Sequence, residues 1–253
     1  MLVSEVMSQQ TGIDRVVPKY LEFVARFPTP LACASAPLGE ALALWSGLGY
    51  PRRCRNLHDA ARVIVDRHNG SVPLDLDTLL ALPGVGPYTA RAVLSFAAGR
   101  DVGVVDTNVA RVLARLSNRV LGARDAQAMA DALVPSGRSW EWNQAFMDLG
   151  STVCRARVAA CDECPVATWC TWGDGPDPAP ASALTSKPQA RFEGSNRQAR
   201  GRLMRRLAVA PQLLDDVPRV MGLVDQPHRA RVLLDGLVTE RLVVIDADRC
   251  RLP

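Results

Sequence analysis

An all-α fold is predicted for residues 1 to about 172 by three observations. Apolar residues recur at three- and four-residue spacing, breakers divide the chain into segments of ordinary helix length, and alternating strand patterns are nearly absent. Val16, Val17, Tyr20, Leu21 and Val24 mark one early apolar stripe, and Val93, Leu94 and Ala97 mark another. Pro28 and Pro30, Gly47 and Gly49, and the stretch from Pro83 to Pro87 separate the helices. Residues 173–196 turn to GDGPDPAPASALTSKPQARFEGSN, a linker composition too poor in large apolar side chains to fold alone. Beyond it, RQARGRLMRRLAV reads as a helix, Leu213 to Met221 as a second, and the rest as a helix running into a short strand pair. That order predicts a small winged-helix-like module over 197–253.

Composition narrows the class of protein. The chain has 253 residues, 48% of them hydrophobic, and no apolar run long enough to span a bilayer, so it is expected to build soluble domains with cores of their own. The opening MLVSEVMSQQ has neither a basic n-region nor a cleavable apolar run. A cytoplasmic protein, nucleoid-associated if bacterial, is therefore expected, with its seven cysteines kept reduced. The net charge of +4 is carried entirely by Ser195 to Pro253, which holds eleven arginines against seven acids. Such a tail suits a polyanion, although a modest basic excess also occurs on ordinary solvated surfaces.

Cys154, Cys161, Cys164 and Cys170 stand at the spacing C-x6-C-x2-C-x5-C. Soft thiolate donors packed this densely select zinc or an iron–sulfur cluster, and disulfides are the remaining alternative. A single short pair between two outlying cysteines favours a 4Fe-4S cluster over zinc, whose sites usually pair two such motifs. A second motif, Leu82 to Ala97, places Gly84, Val85 and Gly86 in a tight turn and Pro87 in the first turn of the following helix. Amides at such a turn can grip a phosphate without reading sequence. A bare Gly-x-Gly also occurs at ordinary helix starts.

The segment LPGVGPYTA, followed by VVDTNVARVLARL and then by the four-cysteine run, resembles the helix-hairpin-helix DNA glycosylase superfamily with its iron–sulfur loop. LVSEVMSQQT and GLGY narrow the resemblance to the MutY family of adenine DNA glycosylases. It covers residues 1 to about 172; the tail is not covered with comparable specificity. The resemblance implies a glycosylase fold over 1–172 and a structural 4Fe-4S cluster held by the four cysteines. It also implies a monomer acting on mismatched double-stranded DNA, with no membrane involved.

Breaking an N-glycosidic bond passes through an oxocarbenium-like state, which needs an acid at the departing base and an anion at the sugar. By resemblance, Glu5 is the general acid and Asp106 the stabiliser or nucleophile, with Tyr88 near Glu5 and Asn108 near Asp106 orienting them. From pattern alone, Glu5 is equally a first-turn helix acid and Asp106 a helix N-cap. Tyr88 occupies the position where bifunctional relatives carry a Schiff-base lysine, which implies base removal without strand cleavage. Gln9 and Gln10 follow the glutamate, and Gln10 and Tyr50 are the candidates for entering the gap left by the extruded base. Gln144 is placed to pair with the adenine edge, while Leu82, Gly84, Val85 and Gly86 form the backbone-gripping turn. Cys33, Cys54 and Cys250 are read as buried thiols outside the motif.

The sequence departs from the family in three places. Members carry a longer segment ahead of the glutamate, with an LPW-type stretch lining the base pocket, whereas here Glu5 is almost the first residue. An open pocket and weak turnover are expected from that. Ser8 and Pro51 replace a leucine and an aromatic. The tail from Arg197 is too short for a Nudix-like domain that inspects 8-oxoguanine. The alternatives are a thymine or uracil mismatch glycosylase and a catalytically weak DNA-binding iron–sulfur protein.

Overall fold

The computed structural model describes residues 1–173, 175–186 and 190–253. The chain runs through α1 (Leu2–Ser8), α2 (Ile13–Arg26), α3 (Pro30–Ser35), α4 (Leu38–Leu44), α5 (Pro51–His68), α6 (Leu76–Leu80), α7 (Pro87–Ala98), α8 (Thr107–Leu116), α9 (Ala123–Leu133) and α10 (Ser139–Asp148). It continues through α11 (Asn196–Leu207), β1 (Gln212–Leu213), α12 (Val217–Met221), α13 (Pro227–Thr239), β2 (Val244–Asp246) and β3 (Arg249–Arg251). Two compact units result, both discontinuous in sequence. One comprises Leu2–Pro73, Ala81–Gly84 and Ala190–Pro253; the other comprises Met1, Leu74–Leu80 and Val85–Gln189. No described helix is long and apolar enough to cross a membrane.

In the first unit, α2 buries Val16, Phe23 and the following Phe27, with the Phe23 ring edge-on to Phe27 at 4.9 Å and to Trp45 at 6.1 Å. Val17 and Leu21, expected on the apolar stripe, are exposed, because the buried face of α2 follows the aromatics and not the aliphatics beside them. Thr29 caps α3 by accepting from the Ala32 amide, and Pro30 opens its first turn. The long α5 turns Cys54, Leu57, His58, Ala61 and Ile64 inward at helical spacing and packs on α3. Each fully buried aliphatic or aromatic side chain contributes about 1.5–3 kcal/mol.

The tail belongs to the same unit. Its order of helix, strand, two helices and β-hairpin closes into an antiparallel sheet β1-β3-β2, with Gln212 opposite Cys250 and Val244 opposite Arg251. The strand pair expected from sequence thus gains a third strand, β1, too short to show a pattern of its own. Ala199, Leu203, Leu207, Ala230, Leu234 and Leu237 fill the tail's core, and Cys250 points into it. Glu240 fastens the tail to α5: its carboxylate accepts from Arg52 at 2.8 Å and from Arg200 at 2.5 Å, and its carbonyl accepts from Arg55 at 2.7 Å. Arg241 meets Asp59, and the Gly39 amide donates to the carbonyl of Pro253.

In the second unit, α8 is the central helix, its residues Val109 to Leu113 packed among Leu121, Ala126, Ala130, Phe146 and Leu149. Gly103 lies so close to Ala130 that a Cβ there would come within 2.6 Å of its backbone. After α10 the helix widens into a π-turn, Leu149–Val153, that delivers Cys154. The stretch expected as a free linker is packed at Ala179 and Ser182, where the Ser182 hydroxyl accepts from the Leu121 amide and the Ala183 amide donates to the Leu121 carbonyl. Small residues can lie flat on α8 once their backbone is paired, which composition alone does not reveal.

Candidate active site and metal loop

Asp106 is the N-cap of α8, in extended conformation. One carboxylate oxygen accepts from the amides of Asn108 and Val109 at 2.8 and 2.7 Å, and the other accepts from the Asn108 side-chain amide at 3.1 Å. Burial pushes its carboxyl above the usual range, and these hydrogen bonds, with the Arg111 charge, only partly oppose it. The Arg111 guanidinium donates to the Asn108 side-chain oxygen at 2.9 Å, to the Gly150 carbonyl at 2.5 Å and to the Cys154 carbonyl at 2.8 Å. Gly150 has to be glycine, since a Cβ would come within 2.7 Å of the Asn108 Cβ. Asn143, beside the expected Gln144, accepts from the Val104 amide and donates to the Val102 carbonyl, which fixes the strand-like run leading into Asp106. Gln144 itself is half-buried on α10. The structure links Asp106, Asn108 and the backbone of the first cysteine through Arg111, which the motifs did not single out.

Glu5 lies half-buried on α1, flanked by the buried Val6 and Met7. In the same unit, Gln9, Gln10 and Tyr50 stand on two turns bridged by Thr11, whose hydroxyl donates to the Leu48 carbonyl at 3.1 Å. Gln10 and Tyr50 are left-handed, with φ of 55° and 48°. The Tyr50 hydroxyl accepts from Arg197 of the tail at 3.1 Å.

The hairpin turn runs from α6 to α7. Leu82 and Val85 are buried, and Gly84, at φ 76°, passes so near Asn56 that a Cβ would come within 2.6 Å of that side chain. Gly86 is the N-cap of α7 with no side-chain cap, and Pro87 starts the helix. The positive end of the α7 dipole is thus presented at this turn, the arrangement that favours an anion. Tyr88 follows, half-buried in that turn.

Cys154, Cys161, Cys164 and Cys170 line one cavity of about 90 Å³, walled by Val112, Leu116, Leu149 and Val166. The volume exceeds that needed for one water-sized atom several times over, and four thiols are the soft donor set that an iron–sulfur cluster takes. Arg115, nearly fully buried, donates to the Cys154 sulfur at 3.4 Å, pairs with Asp177 at 2.7 Å and stacks on Trp172 at 4.5 Å. A cation at the sulfurs suits ligands that carry negative charge. Cys33, Cys54 and Cys250 are buried in the first unit, as expected of thiols outside the motif.

Four residues escaped the sequence reading: Arg53, Arg111, Arg115 and Asn143. A signal existed for Arg111 and Arg115, which occupy apolar-stripe positions of α8 and are 6% and 3% exposed, since arginine is buried only when paired.

Residues 3–135 match the family described as HhH-GPD superfamily base excision DNA repair protein. The adenine DNA glycosylase of Mycolicibacterium smegmatis is 41% identical over 98% of this chain and 84% of its own length. That of Mycobacterium tuberculosis is 43% identical over 98% and 82%. The human adenine DNA glycosylase is 44% identical over 66% of this chain and 32% of its own length. The tail is thus shared with the mycobacterial proteins. Among solved structures, a thermostable thymine-DNA glycosylase superposes with a TM-score of 0.62 at 27% identity, covering 68% of this chain and 82% of its own. Endonuclease III, trapped as a covalent intermediate with DNA, gives 0.60 at 28%, covering 67% and 81%. The chain belongs to the HhH-GPD superfamily of base excision DNA repair proteins and, within it, to the adenine DNA glycosylases.

Proposed function

We propose that this adenine DNA glycosylase removes adenine mispaired with 8-oxoguanine or guanine in double-stranded DNA, by hydrolysis and without strand cleavage. The setting of Asp106 carries the reading. Its carboxylate is fixed by three donors at a helix N-terminus while burial raises its pKa, the perturbed setting in which functional carboxylates cluster. Glu5 protonates a ring nitrogen of adenine, the C1′–N bond breaks with its electrons leaving on the base, and Asp106 stabilises the cationic sugar until water adds and loses a proton. Tyr88, in place of a lysine, offers no amine for an imine. Leu82, Gly84, Val85 and Gly86 hold the DNA backbone, Gln9, Gln10 and Tyr50 open the stack, and Gln144 reads the extruded base.

The four cysteines would hold a 4Fe-4S cluster, which when bound supplies a rigid anchor for the loop bearing Arg155 and Arg157 and takes no part in bond breaking. The winged-helix-like tail adds arginine contacts to phosphate. Seven free thiols suit a reducing cytoplasm, where the protein acts as a monomer. The likeness to a thymine-DNA glycosylase makes thymine opposite guanine the competing substrate.

The test is base release from duplexes carrying adenine opposite 8-oxoguanine, adenine opposite guanine, and thymine opposite guanine. Adenine should leave the first two, giving sites that break only in alkali. Preference for thymine, or an adduct trapped by borohydride, would overturn the reading.

A further inference from the structure

We propose that Arg53 is a positioning residue that locks two strained turns into one stiff wedge. This rests on the reading that the chain extrudes adenine with Gln10 and Tyr50. Arg53 stands in the first turn of α5 and reaches both turns with one guanidinium. One terminal nitrogen donates to the carbonyls of Val6 at 2.7 Å, Met7 at 3.1 Å and Gln9, the carbonyls left open where α1 ends. The other donates to the Thr11 hydroxyl at 3.0 Å and to the carbonyls of Leu48 at 3.2 Å and Gly49 at 3.4 Å. The group lies over the Trp45 ring at 5.7 Å and the Tyr50 ring at 5.3 Å, and the Trp45 indole donates to the Gly49 carbonyl at 3.1 Å.

Two features separate this arrangement from ordinary packing. All six oxygens that Arg53 meets are neutral, so the residue is placed for its planar fork and not for a salt bridge; lysine, a point charge, cannot serve both turns. The turns it joins each hold a non-glycine residue in the left-handed region, Gln10 and Tyr50. Each such residue costs on the order of 1 kcal/mol or more and persists only where its surroundings fix it.

A wedge entering stacked DNA meets an opposing load of a few kcal/mol for unstacking and unpairing. A turn free to relax would yield instead of the base pair. Arg53 makes the α1 end and the glycine turn move as one body, so its loss should slow extrusion while leaving bond breaking intact.

The experiment is single-turnover adenine release by wild type, Arg53→Lys and Thr11→Val on two duplexes. In one, adenine faces 8-oxoguanine; in the other, it faces a tetrahydrofuran abasic analogue, where no pair has to open. Extrusion is followed in parallel by 2-aminopurine fluorescence. Arg53→Lys should be slower by about tenfold or more on the paired duplex and within about twofold of wild type on the abasic one, a selective loss of part of the extrusion energy. Thr11→Val, which removes the hydroxyl that bridges the turns and accepts from Arg53, should show the same selectivity at a few-fold and serves if Arg53→Lys does not fold. Equal losses on both duplexes, or none on either, would overturn the wedge. A wild type that releases adenine from neither would overturn the enzymatic reading instead.

Discussion

Arg53 and Arg111 solve the same physical problem in the two units and end on different partners. Both guanidinium groups are drawn below their usual pKa, first by burial, and both donate to backbone carbonyls from distant segments. Arg53 stops there, on neutral oxygens and aromatic faces. Arg111 continues through Asn108 to a carboxylate, Asp106, and touches the carbonyl of Cys154 on its other side. One arginine therefore fixes geometry alone, and the other fixes geometry together with the carboxylate proposed to act at the sugar.

The largest effect should come from removing the anion at the end of the Arg111 line. Asp106→Asn keeps the shape and the cap but loses the charge facing the oxocarbenium. Base release should fall by about a thousandfold or more, with mispair affinity nearly unchanged in a gel-shift titration. The folded-state pKa of Asp106 is raised, so its contribution to stability is most favourable at low pH and declines as pH rises through that pKa. The asparagine variant should therefore lose this pH dependence and melt no lower than wild type at pH 7. A variant that unfolds would reduce Asp106 to a structural cap.

The next effect tests the contrast directly. Arg111→Met leaves the Gly150 carbonyl unpaired, the Cys154 carbonyl with only Arg115 at 3.4 Å and the Asn108 side-chain oxygen without its arginine, destabilising the protein by about 2–4 kcal/mol in chemical denaturation. Its loss of rate should be the same whether adenine is paired or faces an abasic analogue, unlike that of Arg53. A selective loss would erase the distinction between the two arginines.

Glu240 should give the smallest effect, because its pairing holds the tail and touches no chemistry. Burial pushes its carboxyl up, but the hydrogen bonds and charges of Arg52 and Arg200 outweigh burial and hold the pKa at about 2. Its stabilisation is present above the ordinary glutamate pKa of about 4.3 and is lost as pH falls toward about 2. Glu240→Gln should lower the melting temperature at pH 7 by a few degrees, for about 1 kcal/mol, and should match wild type near pH 2. An equal gap at both pH values would remove Glu240 from the pH response.

The sequence displayed what lies close along the chain. The hairpin turn, the four cysteines and the Asp106 cap each depend on neighbours within a few residues, and local spacing reveals such dependence. Arg53, Arg111 and Asn143 stayed hidden because the carbonyls they donate to lie some forty residues away, and helical periodicity shows which face is apolar but not what lies opposite it. The left-handed turns at Gln10 and Tyr50 were equally silent, since nothing local marks a non-glycine residue held there. On α2 the stripe was misplaced: Val17 and Leu21, expected in it, are exposed, while Phe23, left out of it, is buried against Phe27 and Trp45.

The discontinuity of the first unit bears on how the protein is made. Leu2–Pro73 carries Glu5 and the wedge turns, yet its partners in the tail begin at Ala190. At about 5–20 residues per second, the earlier part waits on the order of ten seconds after emerging from the ribosome before the later part is synthesised. Throughout that interval Arg52 and Arg55 of α5 lack Glu240, and Tyr50 lacks Arg197. The portion translated first is thus among the last to be completed, and substitutions in the tail should reach the Glu5 region through the yield of folded protein, even where no tail residue approaches DNA.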